Sequence, residues 1–420
     1  MTLKVPKIAV IGGGAAGLMA AGRAAELGAA VTLFEKNKDP GKKLAITGKG
    51  RCNLTNNCDR DTFLQNVLSN PRFLYTAYSN FSAQDVMSFF EENGVPLKTE
   101  RGNRVFPVSD RAKDIVHALD AYACGPEWNP VQRHFGTAVT ELITQEGHVV
   151  GVQCARDSFL PFDAVIVCTG GLSYPLTGST GDGYRFAQHV GHTLVPPRPS
   201  LVPIETEESW CRDLQGLSLR NVKVTLFDTT ASRVLFDDFG EMLFTHFGIS
   251  GPTILSLSSH LHPENGHRYQ IRIDLKPALE EATLDRRLLA DFQKYQNRNF
   301  SNALHDLLPQ KLIPVIISLS GISPDAKVNG ITKEERRKLL SLLKGLPLTF
   351  LRFRPIREAI VTAGGVSVSE INPKSMESRL VSGLYFAGEV LDLDAYTGGF
   401  NLQIAFSCAR LAAEKAAENA

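Results

Sequence analysis

Three glycines spaced Gly12-x-Gly14-x-x-Gly17 follow directly on an apolar run, Lys7–Ile11, and open a stretch of small residues. This spacing builds an anion-binding turn. Gly12 makes the bend, Gly14 lets backbone approach a pyrophosphate, and Gly17 lets helix and strand pack closely. Ala15, Ala16, Ala20, Ala21, Ala24 and Ala25 keep one helix small enough to lie near a sheet. Glu35 ends the next apolar strand, Val31–Phe34. There it is placed to accept from a ribose 2′-OH, which argues against a 2′-phosphorylated cofactor. Far downstream, Gly383–Gln403 reads GLYFAGEVLDLDAYTGGFNLQ. Glu389, directly after Gly388, can accept from a ribityl hydroxyl. Gly398, Gly399, Phe400, Asn401 and Leu402 lead into a C-terminal helix. The unpaired N–H groups of that helix would face the N1/O2 edge of a flavin and stabilise its anionic reduced form. A ligand long enough to need both stretches is FAD rather than NAD.

Between them lies a polar, glycine-rich loop, Asn37–Asn57, expected outside the core. Gly48 and Gly50 let its amides turn toward an anion, Lys42 or Lys43 can neutralise phosphate, and Arg51 can fork onto it. The plain alternative is a solvated basic loop. Lys36, Thr47, Cys52 and Asn53 are counted with the same cofactor contacts. Thr169-Gly170-Gly171 closes a buried strand and is expected beside the cofactor. Val139 is a candidate for backbone contact with adenine.

These residues need a scaffold. Strand Lys7–Ile11, helix Ala15–Leu27 and strand Val31–Glu35 form an opening βαβ-like unit. Phe81–Asn93 and Arg111–Ala123 read as amphipathic helices. Thr137–Leu142 and Val149–Ala155 alternate as strands, and Ala164–Cys168 is a short buried one. Pro196, Pro197, Pro199 and Pro203 crowd one stretch, as at a domain boundary. Beyond it Val222–Phe227, Arg233–Phe236 and Tyr269–Ile273 are β-like, Leu279–Leu343 is helical and charged, and Leu402–Ala417 is a final helix. The expected division is 1–194 and 359–420 as a discontinuous cofactor domain, 195–278 with 346–358 as an inserted β domain, and 279–345 as a helical insert.

Composition excludes several classes. Lys and Arg number 45 against 44 Asp and Glu, so the chain as a whole carries no polyanion signal. Seven scattered cysteines, with no CxxC pair and no Cys/His cluster, predict reduced thiols and no metal. No run of roughly 18 apolar residues predicts a membrane span. The first residues lack the pattern of a secretory signal. A cytoplasmic location is expected. No DNA partner is expected, and no feature sets the oligomeric state.

Several strings together resemble the bacterial YhiN/BaiN-like flavoproteins. They are Gly41–Asn56 (GKKLAITGKGRCNLTN), Arg104–Ser109 (RVFPVS), Gly170–Gly183 (GGLSYPLTGSTGDG), Gly240–Pro252 (GEMLFTHFGISGP) and Val361–Val366 (VTAGGV), with the C-terminal string above. The resemblance implies an α/β fold: a Rossmann-like FAD domain of the two-dinucleotide-binding flavoprotein type, with an inserted β domain and a helical subdomain. Ala395, where a glycine is usual, and Ser407-Cys408-Ala409 depart from the family pattern and bear on packing near the flavin. Thr180-Gly181-Asp182-Gly183 resembles a segment near the cofactor in fumarate-reductase-type flavoproteins.

The resemblance also implies reduction of an activated C=C bond by flavin hydride. In the family this is linked to dihydrouridine formation in large-subunit (23S) ribosomal RNA, and in one branch to reduction of steroid ring double bonds. NADH or NADPH would load the flavin transiently, because no second glycine turn houses a nicotinamide. Such a reduction needs a proton donor. His246 is the best histidine, although a lone histidine beside phenylalanines is more often a core group. Arg104 could anchor a phosphate or carbonyl. Cys52 could donate a proton, but Cys52 and Cys58 are spaced C-x5-C where disulfide reductases of the superfamily use C-x4-C. Lys333, Arg336, Arg337, Lys338, Lys344, Arg352, Arg354 and Arg357 face only Glu334 and Glu335 in the same stretch, a local excess that could track an RNA backbone. The competing readings are a reductase of a small enone and a flavin-containing RNA-binding or redox-sensing protein without turnover.

Overall fold

Five short strands, four of them apolar and the edge strand Gln132–Phe135 polar, pair as one parallel sheet in the computed structural model, which describes residues 5–154 and 158–419. The order across it is Leu384–Phe386, Ala164–Val167, Lys7–Ile11, Ala30–Glu35 and Gln132–Phe135. The chain builds outward to one side of Lys7–Ile11 first, then returns to build on the other. A sheet wound in two directions opens a crevice at that reversal, outside the carboxyl ends of its strands. Gly12, Glu35, Thr169 and Gly388 all stand at those carboxyl ends.

Helix Ala15–Glu26 starts at Gly14 and packs on the C-terminal helix, Phe400–Asn419. Both helices are rich in buried alanines, among them Ala20, Ala21 and Ala24 in the first and Ala409, Ala412 and Ala413 in the last. Small side chains let the helices approach closely, which ties the two ends of the chain to one sheet. The expected amphipathic helices are Ala83–Glu92, opened by a capping box between Ser82 and Asp85, and Ala112–Tyr122. The expected strand pair is the hairpin Val139–Gln145 and His148–Cys154; Ala155 lies outside the described residues.

One expectation needs correction. The loop Asn37–Asn57 is not outside the core: it contains helix Lys42–Ile46 and buries Leu44, Cys52 and Leu54. Thr55 and Asn56 are buried with them, while Ile46 stays exposed. The proline-rich stretch lies where the two units described below divide, between Ser200 and Leu201; its prolines at 196, 197 and 199 fall in strand Leu194–Ser200, which pairs with Val361–Val366 and is bulged between Val195 and Arg198. An edge strand tolerates prolines because its outer N–H groups have no partner to lose.

The chain divides into two compact units, Met1–Ser200 with Ile356–Ala420, and Leu201–Pro355. The second contains a closed six-stranded barrel in the order Ile204–Thr206, Gly248–Ser250, Arg233–Phe244, Ser218–Asp228, Tyr269–Asp274, Leu346–Phe353. Helices Glu281–Lys294, Ile313–Ser320 and Lys333–Lys344 share one hydrophobic core with the barrel.

Candidate functional site

The glycine turn is shaped by contacts that admit no side chain. Gly12, at φ +106°, donates to the Phe34 carbonyl at 2.8 Å, and a β-carbon on it would lie 2.5 Å from the Cys168 carbonyl oxygen. A β-carbon on Gly17 would overlap the Gly12 carbonyl. Around Gly14 nothing lies within 4 Å of that position, so this side of the turn is open. Here a phosphate can meet backbone N–H groups and the helix terminus.

Glu35 is buried and organises the adjacent loop. Its Oε2 accepts the Gly13 N–H at 2.7 Å, and its Oε1 accepts the Asn37 N–H and Nδ2, each at 2.7 Å. One lone pair remains on Oε2 for a ribose hydroxyl. Lys36 bonds Thr180 Oγ1 at 2.5 Å and Asp182 Oδ2 at 2.6 Å, joining this corner to the Thr180–Gly183 segment. The Gly136 and Thr137 amides donate to the Asn37 and Glu35 carbonyls, bringing the start of the Val139 strand to the same corner.

The other end centres on Glu389. Lys43 Nζ donates to Glu389 Oε2 at 2.6 Å and to Ser173 Oγ at 2.7 Å. Glu389 Oε1 accepts from Ser173 Oγ at 2.9 Å and from the Thr362 N–H at 3.0 Å. A β-carbon on Gly171 would lie 2.5 Å from Thr362 Oγ1, one on Gly388 would lie 3.1 Å from Ala16 Cβ, and one on Gly399 would overlap the Thr55 carbonyl. Thr47 bonds back to the Lys43 carbonyl, and Gly50, at φ +83°, faces open space. Phe400 and Leu402 open the C-terminal helix and pack on the core, as Ala15 does at the first helix.

Four buried polar atoms have no hydrogen-bond partner among the described residues: Asn53 Oδ1, Thr169 Oγ1, Tyr184 OH and Arg198 Nη1. All belong to this unit. Thr169 follows Cys168, whose carbonyl abuts Gly12, and Asn53 is two residues from Thr55, which abuts Gly399. Buried polar groups are rarely left unpaired. A ligand with donors and acceptors along its length, running from the glycine turn to the last helix, would pass the segments that carry Thr169 and Asn53. FAD has that length and that chemistry, and the residues fit it.

Other candidates are engaged elsewhere. Arg51 pairs with Glu100 and Asp110, each at 2.5 Å, and covers the Phe106 ring, so its guanidinium is not held ready for a phosphate. Asn401 exchanges hydrogen bonds with Ala395, closing the loop before the last helix. Cys52 is fully buried at φ +60°, and burial pushes its thiol well above the ordinary range, so it stays a neutral thiol in the core. Arg104 is exposed and bonds the Arg101 carbonyl. His246, in the second unit, is not a core histidine: it is exposed in the turn between Arg233–Phe244 and Gly248–Ser250, edge-on to Phe247. The basic run is partly neutralised by distant acids, Arg336 by Asp285, Lys344 by Asp274, and Arg352 and Arg354 by Glu205.

Asn37, Ser173, Tyr184 and Thr362 escaped sequence reading. Ser173 and Thr362 lie in the strings GGLSYP and VTAGGV, a signal that could have marked them; Asn37 and Tyr184 gave none. Among the described residues no helix is long and apolar enough to cross a membrane.

A doubly wound sheet, an open glycine turn and a cradle that suits FAD along its length define a Rossmann-type flavoprotein, an FAD-dependent oxidoreductase. The model of the HI0933-like protein Rossmann domain matches residues 6–415, and the chain belongs to that family. It is 33% identical over 402 residues to a ribosomal RNA dihydrouridine synthase of Haemophilus influenzae, covering 95% of this chain and 96% of the relative. The Escherichia coli protein of that name is 30% identical, with 95% of each chain covered. A 3-dehydro-bile acid delta(4,6)-reductase of Clostridium scindens is 31% identical over 417 residues, 98% of this chain and 99% of the relative. Among solved structures, the 3-ketosteroid delta1-dehydrogenase of Sterolibacterium denitrificans shares the fold at a TM-score of 0.50 and 14% identity, covering 99% of this chain and all of that one.

Proposed function

We propose that this enzyme reduces the C5=C6 bond of uridine in 23S ribosomal RNA, using NADH or NADPH as a transient electron donor. The observation that carries the reading is end-to-end likeness to two relatives named ribosomal RNA dihydrouridine synthase. Overall, uridine, reduced nicotinamide and a proton become dihydrouridine and oxidised nicotinamide. When bound, FAD supplies hydride to C6 of the uracil ring. The chain's own residues supply position, charge and a proton. Gly12–Gly17 would hold the pyrophosphate, Glu35 the ribose, and Lys43 with Glu389 the ribityl chain. The N-terminus of Phe400–Asn419 would stabilise negative charge on the reduced ring. The proton for C5 would come from an acid group of the chain beside the uracil ring. An RNA substrate accords with a cytoplasmic location.

A second reading has one specific support, the match over nearly full length to a bile acid reductase. Both substrates offer a C=C bond conjugated to a carbonyl, so the chemistry is shared. The deciding measurement is mass-spectrometric mapping of dihydrouridine in 23S ribosomal RNA from cells with and without the gene. Loss of one dihydrouridine is expected on deletion. Unchanged RNA, with turnover of a steroid enone by the purified protein, would transfer the assignment to the second reading.

A further inference from the structure

Glu205, 9% exposed on strand Ile204–Thr206, faces two arginines from the neighbouring strand end. Arg352 approaches it through Nε at 2.8 Å and Nη2 at 2.7 Å, and Arg354 through Nη1 at 2.8 Å. One carboxylate against two guanidiniums leaves positive charge fixed in place rather than carried on mobile stems. The Arg354 guanidinium lies 4.6 Å over the ring of Phe247, and Phe247 meets His246 edge-on at 5.0 Å. Both aromatic residues sit in a turn closed by the Thr245 N–H to the Gly248 carbonyl at 2.8 Å. A β-carbon on Gly248 would overlap the Ile204 carbonyl and lie 3.1 Å from Glu205 Cα. The turn is therefore pressed onto the strand that carries Glu205. Charge and rings share one edge of the barrel, on which the Arg352 side chain is 70% exposed.

We propose that this edge grips single-stranded RNA, Arg352 contacting a phosphate and the His246–Phe247 turn offering a stacking surface to a base. The inference rests on the ribosomal RNA reading above and adds which surface of the chain holds the strand. A fixed guanidinium beside a turn that carries two aromatic rings matches an alternation of phosphates and bases. A bile acid would offer at most its one carboxylate and no succession of phosphates and bases, and a duplex hides the faces of its bases. The helical part of the basic run is the weaker candidate, since Arg336 and Lys344 are held by Asp285 and Asp274.

The test uses FAD-loaded full-length protein and a short fluorescein-labelled, uridine-containing single-stranded RNA, followed by anisotropy over a salt series. Phe247→Ala is expected to weaken binding roughly 5- to 150-fold, the effect of losing one stacked base. Arg352→Ala is expected to lower the slope of log Kd against log salt by about 0.7, one phosphate contact on a single strand. Arg352→Lys should keep the slope while binding less tightly. Unchanged flavin content and melting temperature certify the variants, and if Phe247→Ala fails to fold, the exposed Arg352 decides alone. Wild-type affinity and slope in these variants would overturn the inference and leave the substrate reading intact. Wild-type protein that oxidises NAD(P)H yet ignores RNA at every salt concentration would sink both.

Discussion

Alanine at Gly14 and alanine at Gly17 are chemically the same change three residues apart, and they should fail in different ways. At Gly14 the backbone is extended, at φ −87° and ψ −167°, and the added methyl would touch nothing within 4 Å. The apoprotein should keep its stability or gain about 0.4–1 kcal/mol from a less flexible unfolded chain. The methyl would instead occupy the space through which phosphate approaches. Pushing one charged N–H···O bond out of reach costs about 1.5–3 kcal/mol, or roughly 10- to 150-fold in the Kd for FAD. At Gly17 the methyl would overlap the Gly12 carbonyl, and overpacking of that kind costs at least about 1–3 kcal/mol before any ligand is added. Thermal melting of apoprotein and FAD titration by flavin fluorescence separate the two. If Gly14→Ala binds FAD as tightly as the wild type, the glycine turn is not where the phosphates sit.

Lys43→Met should lower FAD loading at least tenfold by stripping Glu389 of its cation, whereas Arg51→Ala, which breaks only exposed pairs worth under about 1 kcal/mol, should leave loading unchanged; flavin-to-protein absorbance ratios after desalting decide this. Cys52→Ala should retain NAD(P)H-driven flavin reduction, and thiol reagents should label part-exposed Cys58 and Cys124 well before buried Cys52, Cys168 and Cys408. Prior labelling of Cys52 in the folded protein would contradict its placement. His192 is buried between Glu370 Oε2 at 2.9 Å and Ser378 Oγ at 2.8 Å, and burial, opposed by Glu370, holds its imidazole below the ordinary value. Native protein then takes up the proton later than unfolded chain as pH falls, so stability is full above about pH 6.5 and is lost below it, toward the lowered native value. His192→Asn should be less stable at neutral pH but decline less steeply on acidification; equal slopes in melting temperature against pH would refute this.

Much of the cofactor site is legible in the sequence alone. Strand Lys7–Ile11, the glycine turn and helix Ala15–Glu26 are specified by near neighbours: apolar run, positive-φ glycines and small residues are all local signals. The last helix is readable for the same reason, since Gly398 and Gly399 stand immediately before it. Glu35 can be placed because a strand end is a local event. That the two stretches share one ligand follows from the length of FAD rather than from any periodicity.

Tertiary structure decided which charges were free to act. Arg51 looks like a phosphate ligand until Glu100 and Asp110 come to it, and Arg336 looks like part of an RNA stripe until Asp285 does. Lys43, by contrast, meets Glu389 across 346 residues of sequence and becomes part of the cradle. Cys52 belongs to the core rather than to a reactive loop, and His246 to an exposed turn rather than to the core. Linear spacing encodes what a segment can form with its neighbours; burial and ion pairing are set by side chains arriving from anywhere in the chain, and they alone fix the availability of a proton, a charge or a lone pair.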